Sequence, residues 1–327
     1  RPRSLMLLVA DEVHRYGSEQ FKRALRKEYS WRLGLSGTYE RQQDDGVQRY
    51  LKPYFGDVRL KYGYGEALRD KTVAPFDLAF VETPLTPREL KEYEEADKRC
   101  SDARKVLLEE FGFPADFREF FAMVSAGAGM SEPGYLRDTC QKYMKGFSDR
   151  KKVLASATSK LTFVEAAAKF LDPLGGTIIF SETKASAAQM AFVASKSVPA
   201  LPIDGETKAA EREKALRDFS YGRLRVLSAP RILDEGIDVP DAEIAIIASA
   251  SQTKRQMAQR MGRVIRLKPD GRLARIVILF APGTPEDPNT GGYEAFIDEV
   301  RPFARSERQF SAGNVAEFSN WLHSSLR

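Results

Sequence analysis

Short, largely apolar runs that alternate with helical stretches are the feature that most constrains this chain. Thr177–Phe180, Leu224–Leu227, Ile244–Ile247 and Arg275–Phe280 are such runs. Runs this short and apolar read as strands covered on both faces. Ala185–Ser195, Ala209–Phe219 and Lys254–Met261 between them read as helices. Strands that alternate with helices form parallel sheets, whose functional groups gather at the strand carboxyl ends. The same order opens the chain. A strand, Leu5–Ala10, runs into Asp11-Glu12-Val13-His14, and Phe21, Leu25 and Tyr29 follow at helical spacing. A second strand, Trp31–Leu35, then ends in Ser36-Gly37-Thr38. The expected fold class is α/β.

The character changes in the middle. After a strand-like run, Phe76–Val81, Thr86-Pro87-Arg88-Glu89 has the form of a capping box with proline at the first helical position. Leu90, Tyr93, Ala96, Cys100, Ala103 and Leu107 then recur at helical spacing, and the chain reads as mostly helical to Leu171, with a break near Gly127–Gly134. The expected organisation is a first α/β lobe over 1–74, a connecting strand and helical insertion over 75–150, a second α/β lobe over 151–287, and a helical tail over 288–327. No solenoid repeat or low-complexity tract interrupts it.

Composition mainly excludes. The two cysteines, Cys100 and Cys140, lie far apart, and the two histidines are His14 and His323. Neither a disulfide framework nor a histidine metal cluster is expected. No apolar run approaches the roughly 20 residues of a membrane span, so no membrane partner is expected and the default location is cytoplasmic. The net charge of +5 fits a polyanionic partner, but only weakly.

Six segments carry candidate chemistry. Adjacent acids Asp11 and Glu12 at a strand end suit a metal–phosphate site, one holding magnesium and the other orienting water; the plain alternative is a solvated acidic loop. Gln259-Arg260-Met261-Gly262-Arg263-Val264-Ile265-Arg266 places arginines every three residues, suited to phosphate recognition. A chance match to that pattern in a chain of this length is improbable, roughly one in ten thousand at average residue usage, so it outweighs the reading as a basic surface helix. In Asp234-Glu235-Gly236-Ile237-Asp238-Val239-Pro240, Gly236 permits close backbone approach and Asp238 suits a ribose hydroxyl. Phe180-Ser181-Glu182 at a strand end, and Ile203-Asp204-Gly205 ahead of Arg212 and Phe219 on a helix, are weaker signals. Ser36-Gly37-Thr38 alone is a turn; its position one helix after the acids gives it meaning.

In this order the segments resemble the motifs of superfamily 2 helicases. Asp11-Glu12-Val13-His14 is similar to motif II, the DExH box. Ser36-Gly37-Thr38 is similar to motif III, with Gly37 where alanine is usual. Thr177–Glu182 resembles motif IV, Ser228–Pro240 motif V and Gln259–Arg266 motif VI, and the wording is most similar to the XPB-like branch with its RadD-like relatives. The resemblance covers about residues 5–280 apart from the helical stretch. It implies two RecA-like lobes, the first incomplete, with ATP and Mg2+ between them and DNA as partner. It also implies roles. Asp11 would hold magnesium, and Glu12 would activate water. His14, Ser36 and Thr38 would couple nucleotide state to closure. Gly236, Asp238, Gln259, Arg263 and Arg266 would meet the nucleotide side, with Arg266 as the finger. Ser181, Gly205, Arg212 and Ser228 would face nucleic acid.

One departure matters. The phosphate loop G-x-x-x-x-G-K-[ST] that such motors need does not occur in these 327 residues. The expectation is therefore a motor part lacking its amino-terminal Walker A portion, poor at hydrolysis alone and with sheet edges left open. The function expected is an ATP-dependent DNA helicase or translocase, in DNA repair or recombination. The alternatives are the motor subunit of a restriction or phage-defence complex, with a protein partner on the helical insertion, and a non-hydrolysing nucleic-acid-binding module.

Overall fold

The structure, a computed structural model, describes residues 5–37, 45–230, 242–249, 264, 266, 271–290 and 300–324. They form two compact units, the first reaching Gly63 and taking in Asp116–Arg118, the second formed by the rest.

In the first unit, β1 (Leu7–Ala10) and β2 (Trp31–Gly34) pair in parallel, with Leu7 opposite Trp31 and Ala10 opposite Gly34. The crossover consists of two 3-10 turns, Val13–Gly17 and Phe21–Ala24, where the spacing of Phe21, Leu25 and Tyr29 predicts a regular helix. Phe21 is exposed and only Leu25 of the three packs into the core, so no continuous apolar stripe rewards a longer helix. A π-turn, Val47–Leu51, leads into α1 (Lys52–Phe55). Ala10, Val13 and Leu51 are the buried centre. On the other face of the ladder Leu7, Val9, Trp31 and Leu33 stay exposed among the described residues.

The second unit opens with α2 (Tyr64–Arg69) and holds a seven-stranded, all-parallel sheet. Its strands are β3 (Phe76–Glu82), β4 (Thr177–Ser181), β5 (Ala200–Pro202), β6 (Val226–Pro230), β7 (Ile244–Ile247), β8 (Ala274–Phe280) and β9 (Ser306–Ser311). Their spatial order is β5-β6-β4-β7-β8-β3-β9. The strand read as a connector therefore lies inside this sheet, between β8 and β9. The stretch read as a helical tail contributes the edge strand β9 before its helix, α9 (Val315–His323).

Alternate residues of each central strand enter two separate cores, which is why the runs are apolar throughout. Leu78, Phe80, Ile178, Phe180, Ile276 and Ile278 pack on one face with Ala215 and Phe219 of α8 (Ala209–Ser220). Ala79, Val81, Ile179, Ile246, Val277 and Leu279 pack on the other. That second face is covered by α6 (Thr158–Ala168), α7 (Lys184–Ser195) and α9. Both edges are blunted against further pairing: β5 has three residues and ends in Pro202, and β9 carries Glu307, Arg308 and Gln309.

The helical stretch is α3 (Pro87–Glu109), α4 (Phe117–Ala128) and α5 (Tyr135–Ala155) around a core of their own. The capping box at Thr86 and Glu89 forms as expected. α3 and α5 run antiparallel, tied by Arg99–Asp149 at 2.9 Å and Arg150–Asp97 at 2.6 Å. Gly146 permits their close crossing: a Cβ there would lie 2.8 Å from the Cys100 nitrogen and 2.9 Å from the Ala96 carbonyl oxygen. No helix among the described residues is long and apolar enough to cross a membrane.

Candidate functional site

Because β1 and β2 are parallel, both carboxyl ends open on one edge of the first unit. Asp11 and Glu12 leave β1 there, and Ser36 leaves β2. Glu12 sits in the left-handed region, at φ 48°, an uncommon conformation for a side-chain-bearing residue that costs backbone energy. It turns the chain so that the Val13 N–H donates to the Leu35 carbonyl at 2.8 Å and His14 enters the interior. His14 Nδ1 lies 2.9 Å from Ser36 Oγ and 3.3 Å from Glu12 Oε2. Gly34 makes room for this turn: a Cβ would meet Val13 Cγ2 at 2.9 Å. Asp11 is exposed and Glu12 half-exposed, and Asp11 Oδ1 accepts the Glu12 N–H at 2.9 Å. Among the described residues no group of three or more His, Cys, Asp or Glu side chains converges as a full cation cage. A pair of accessible carboxylates fits magnesium, which keeps water and phosphate oxygens for most of its coordination sphere.

In the second unit the carboxyl edge of the sheet is the corresponding place. Gly205 is exposed in a tight turn after β5. Asp204 Oδ1 accepts the N–H groups of Glu206 and Thr207 at 2.9 and 3.0 Å. Burial opposes ionisation of Asp204, but those donors and the Thr207 hydroxyl hold its carboxyl below its ordinary value. Glu206 pairs with Lys184 at the start of α7, and that hydrogen bond raises the Lys184 ammonium. Arg212 is half-buried on α8. Ser181 ends β4 fully buried, its hydroxyl 3.4 Å from the carbonyls of Thr183 and Ala229. Ser228 lies within β6, 0% exposed, opposite Ile179. Both serines are buried in this structure. Arg266 is exposed and its backbone bridges Val73.

Residues 163–268 match the helicase conserved C-terminal domain. The DNA 3'-5' translocase XPB2 of Sulfurisphaera tokodaii is 29% identical over 266 residues, 80% of this chain and 56% of that protein. The Rad25 protein of Haloarcula marismortui, named as a DNA 3'-5' helicase, is 39% identical over 284 residues, 86% of this chain and 36% of that protein. The chain carries a superfamily 2 helicase C-terminal domain of XPB-like sequence. It spans about half or less of the length of these relatives. In fold it is similar to S. cerevisiae Dbp5 bound to RNA and ADP BeF3, at a TM-score of 0.56 and 15% identity, covering 98% of this chain and 63% of that one. The mixed α/β, RecA-like architecture is thus shared.

On this helicase scaffold the structure brings Asp11, Glu12, His14 and Ser36 together at one strand edge, and sets Gly205 and Arg212 near another. Thr38, Gly236, Asp238, Gln259 and Arg263 lie outside the described residues. Sequence reasoning missed the Lys184–Glu206 pair and the left-handed Glu12. The Asp-Gly-x-Thr turn was a signal for the first, since aspartate there binds its own backbone; no local signal marks the second.

Proposed function

We propose that this chain is the motor portion of an ATP-dependent DNA helicase or translocase acting in DNA repair or recombination, in a cytoplasmic setting. The observation that carries the reading is the contact of His14 with Ser36 and Glu12 beside two accessible carboxylates at one parallel-strand edge. The XPB-like helicase domain supports it, and the names of the two relatives favour DNA over RNA. ATP with magnesium supplies the transferable phosphoryl group and its counter-charge when bound. Asp11 would hold the magnesium, and Glu12 would orient and deprotonate the attacking water. His14 and Ser36 would sense the occupancy of that site, because His14 is bonded to Ser36 and lies within reach of the Glu12 carboxylate. Arg263 and Arg266 would stabilise the phosphate charge, Gln259 would act with them on the nucleotide side, and Gly236 and Asp238 would hold the ribose side. Gly205 and Arg212 are the described candidates for nucleic-acid backbone contact, which is sequence-tolerant and salt-sensitive.

The test is steady-state ATP hydrolysis by the complete gene product, alone and with single-stranded DNA, double-stranded DNA and RNA. DNA-stimulated turnover is expected, and Glu12→Gln should remove it while retaining ATP-dependent DNA binding. Absence of stimulation by DNA, or equal stimulation by RNA, would overturn the proposal.

A further inference from the structure

Lys160, in the first turn of α6, is completely buried. Its ammonium has three donors and all three are used: the Leu154 carbonyl at 2.9 Å, the Ala248 carbonyl at 2.7 Å and Glu286 Oε2 at 2.6 Å. Leu154 is in the last turn of α5. Ala248 is the first residue past β7, where its N–H donates to the Phe180 carbonyl at 2.8 Å. Glu286, also buried, lies in the loop after β8, which Thr284 folds by donating to the Ala281 carbonyl and accepting the Glu286 N–H. One side chain therefore joins the end of the helical insertion to the carboxyl ends of two neighbouring strands.

Stability alone does not account for this arrangement. A buried ion pair is seldom better than apolar side chains of the same volume, and its best-attested use is to fix one geometry. The geometry fixed here is the exit of β7. From that exit the chain runs, in sequence, to Gln259, Arg263 and Arg266. We propose that Lys160 and Glu286 are a positioning pair, which sets the exit of β7 and thereby the arginine-bearing segment for phosphoryl transfer, without touching nucleotide or DNA. The proposal rests on the motor reading above.

The experiment compares the complete gene product with its Lys160→Met/Glu286→Leu and Lys160→Arg variants. Thermal midpoint, kcat and KM for ATP are measured with saturating DNA. The double variant removes both charges and keeps the volume, but it leaves the Leu154 and Ala248 carbonyls without that donor, so its midpoint should fall while the protein remains folded. Its kcat should fall about tenfold or more, as small misplacements of reacting groups do, with KM for ATP little changed. Lys160→Arg covers the case in which the double variant does not fold, because arginine keeps the charge but cannot present three donors in these directions. It should remain folded with reduced kcat. A folded variant of either kind with the parent's kcat overturns the positioning role. A parent without DNA-stimulated turnover sinks the motor reading itself, and this inference with it.

Discussion

Replacing Glu89 by alanine removes one carboxylate that serves the starts of two helices. Its Oε2 accepts from the Thr86 N–H and hydroxyl at 2.9 and 2.8 Å, closing the capping box of α3. Its Oε1 accepts from the Thr158 N–H and hydroxyl at 2.8 and 2.7 Å. Thr158 begins α6, whose N-cap residue, Ala157, has no side-chain acceptor of its own. Glu89 thus closes the capping box of α3 and caps the start of α6. A lost cap costs about 1 kcal/mol, and a carboxylate at a helix amino end contributes a further ~0.3–1 kcal/mol. Allowing for partial exposure, Glu89→Ala should destabilise by about 2–3 kcal/mol. Glu89→Gln keeps one acceptor and places an amide donor against the other pair of donors, for a loss of about 1–2 kcal/mol.

The pH dependence has a definite sign. Burial raises the Glu89 carboxyl, but the bonds from Thr158 and Thr86 outweigh it and hold the folded value below the ordinary one. A carboxyl lowered on folding stabilises fully above its unfolded value, and the contribution fades as pH falls through the folded value. Urea unfolding followed by circular dichroism, at neutral pH and again at acid pH, measures both effects. A parent-to-Gln gap that closes in acid is expected. An alanine variant within about 0.5 kcal/mol of the parent at neutral pH, the range of ordinary surface changes, would refute the double-cap argument, as would a gap indifferent to acid.

Gly146→Ala should also destabilise, because the added Cβ meets the α3 backbone below 3 Å. Overpacking of about 1–3 kcal/mol there outweighs the ~1 kcal/mol gained in helix propensity, and a rise in the unfolding midpoint would contradict it. Asp77 accepts Arg305 at 3.0 and 2.7 Å and Ser306 at 2.8 Å, beside the buried Arg275. Asp77→Ala leaves the Arg275 guanidinium buried without its counter-charge and should cost about 3–5 kcal/mol, read by the same melts; parental stability would sink this. Arg266→Ala in the complete gene product should abolish DNA-stimulated hydrolysis while sparing nucleotide binding, and normal turnover would remove it from the role of finger.

The central strands were legible because β4, β7 and β8 are covered on both faces and cannot hide their apolar runs. The edges were not. β9 reads Ser-Glu-Arg-Gln-Phe-Ser and buries only Phe310, because it has one neighbour and one solvent-facing side. β5 is three residues long and ends in proline, below the length at which alternation can be seen. The crossover after His14 failed for a different reason: Phe21 and Tyr29 keep helical spacing but have no core to face, so spacing without burial did not make a helix.

The candidate site divides along the same line. The juxtaposition of Asp11, Glu12, His14 and Ser36 was legible because all of them follow strand ends, and strand ends follow from where apolar runs stop. The burial of Ser181 and Ser228 was not legible, because a serine reads alike whether its hydroxyl faces solvent or the interior. Lys160 is the extreme case. A lysine in a first helical turn reads as a solvated charge, and nothing within α6 reveals that Ala248 and Glu286, remote in sequence, converge on it. Motif order pointed to an expected chemistry, but Lys160 and Glu286 are a long-range pair, and only the assembled sheet brings them together.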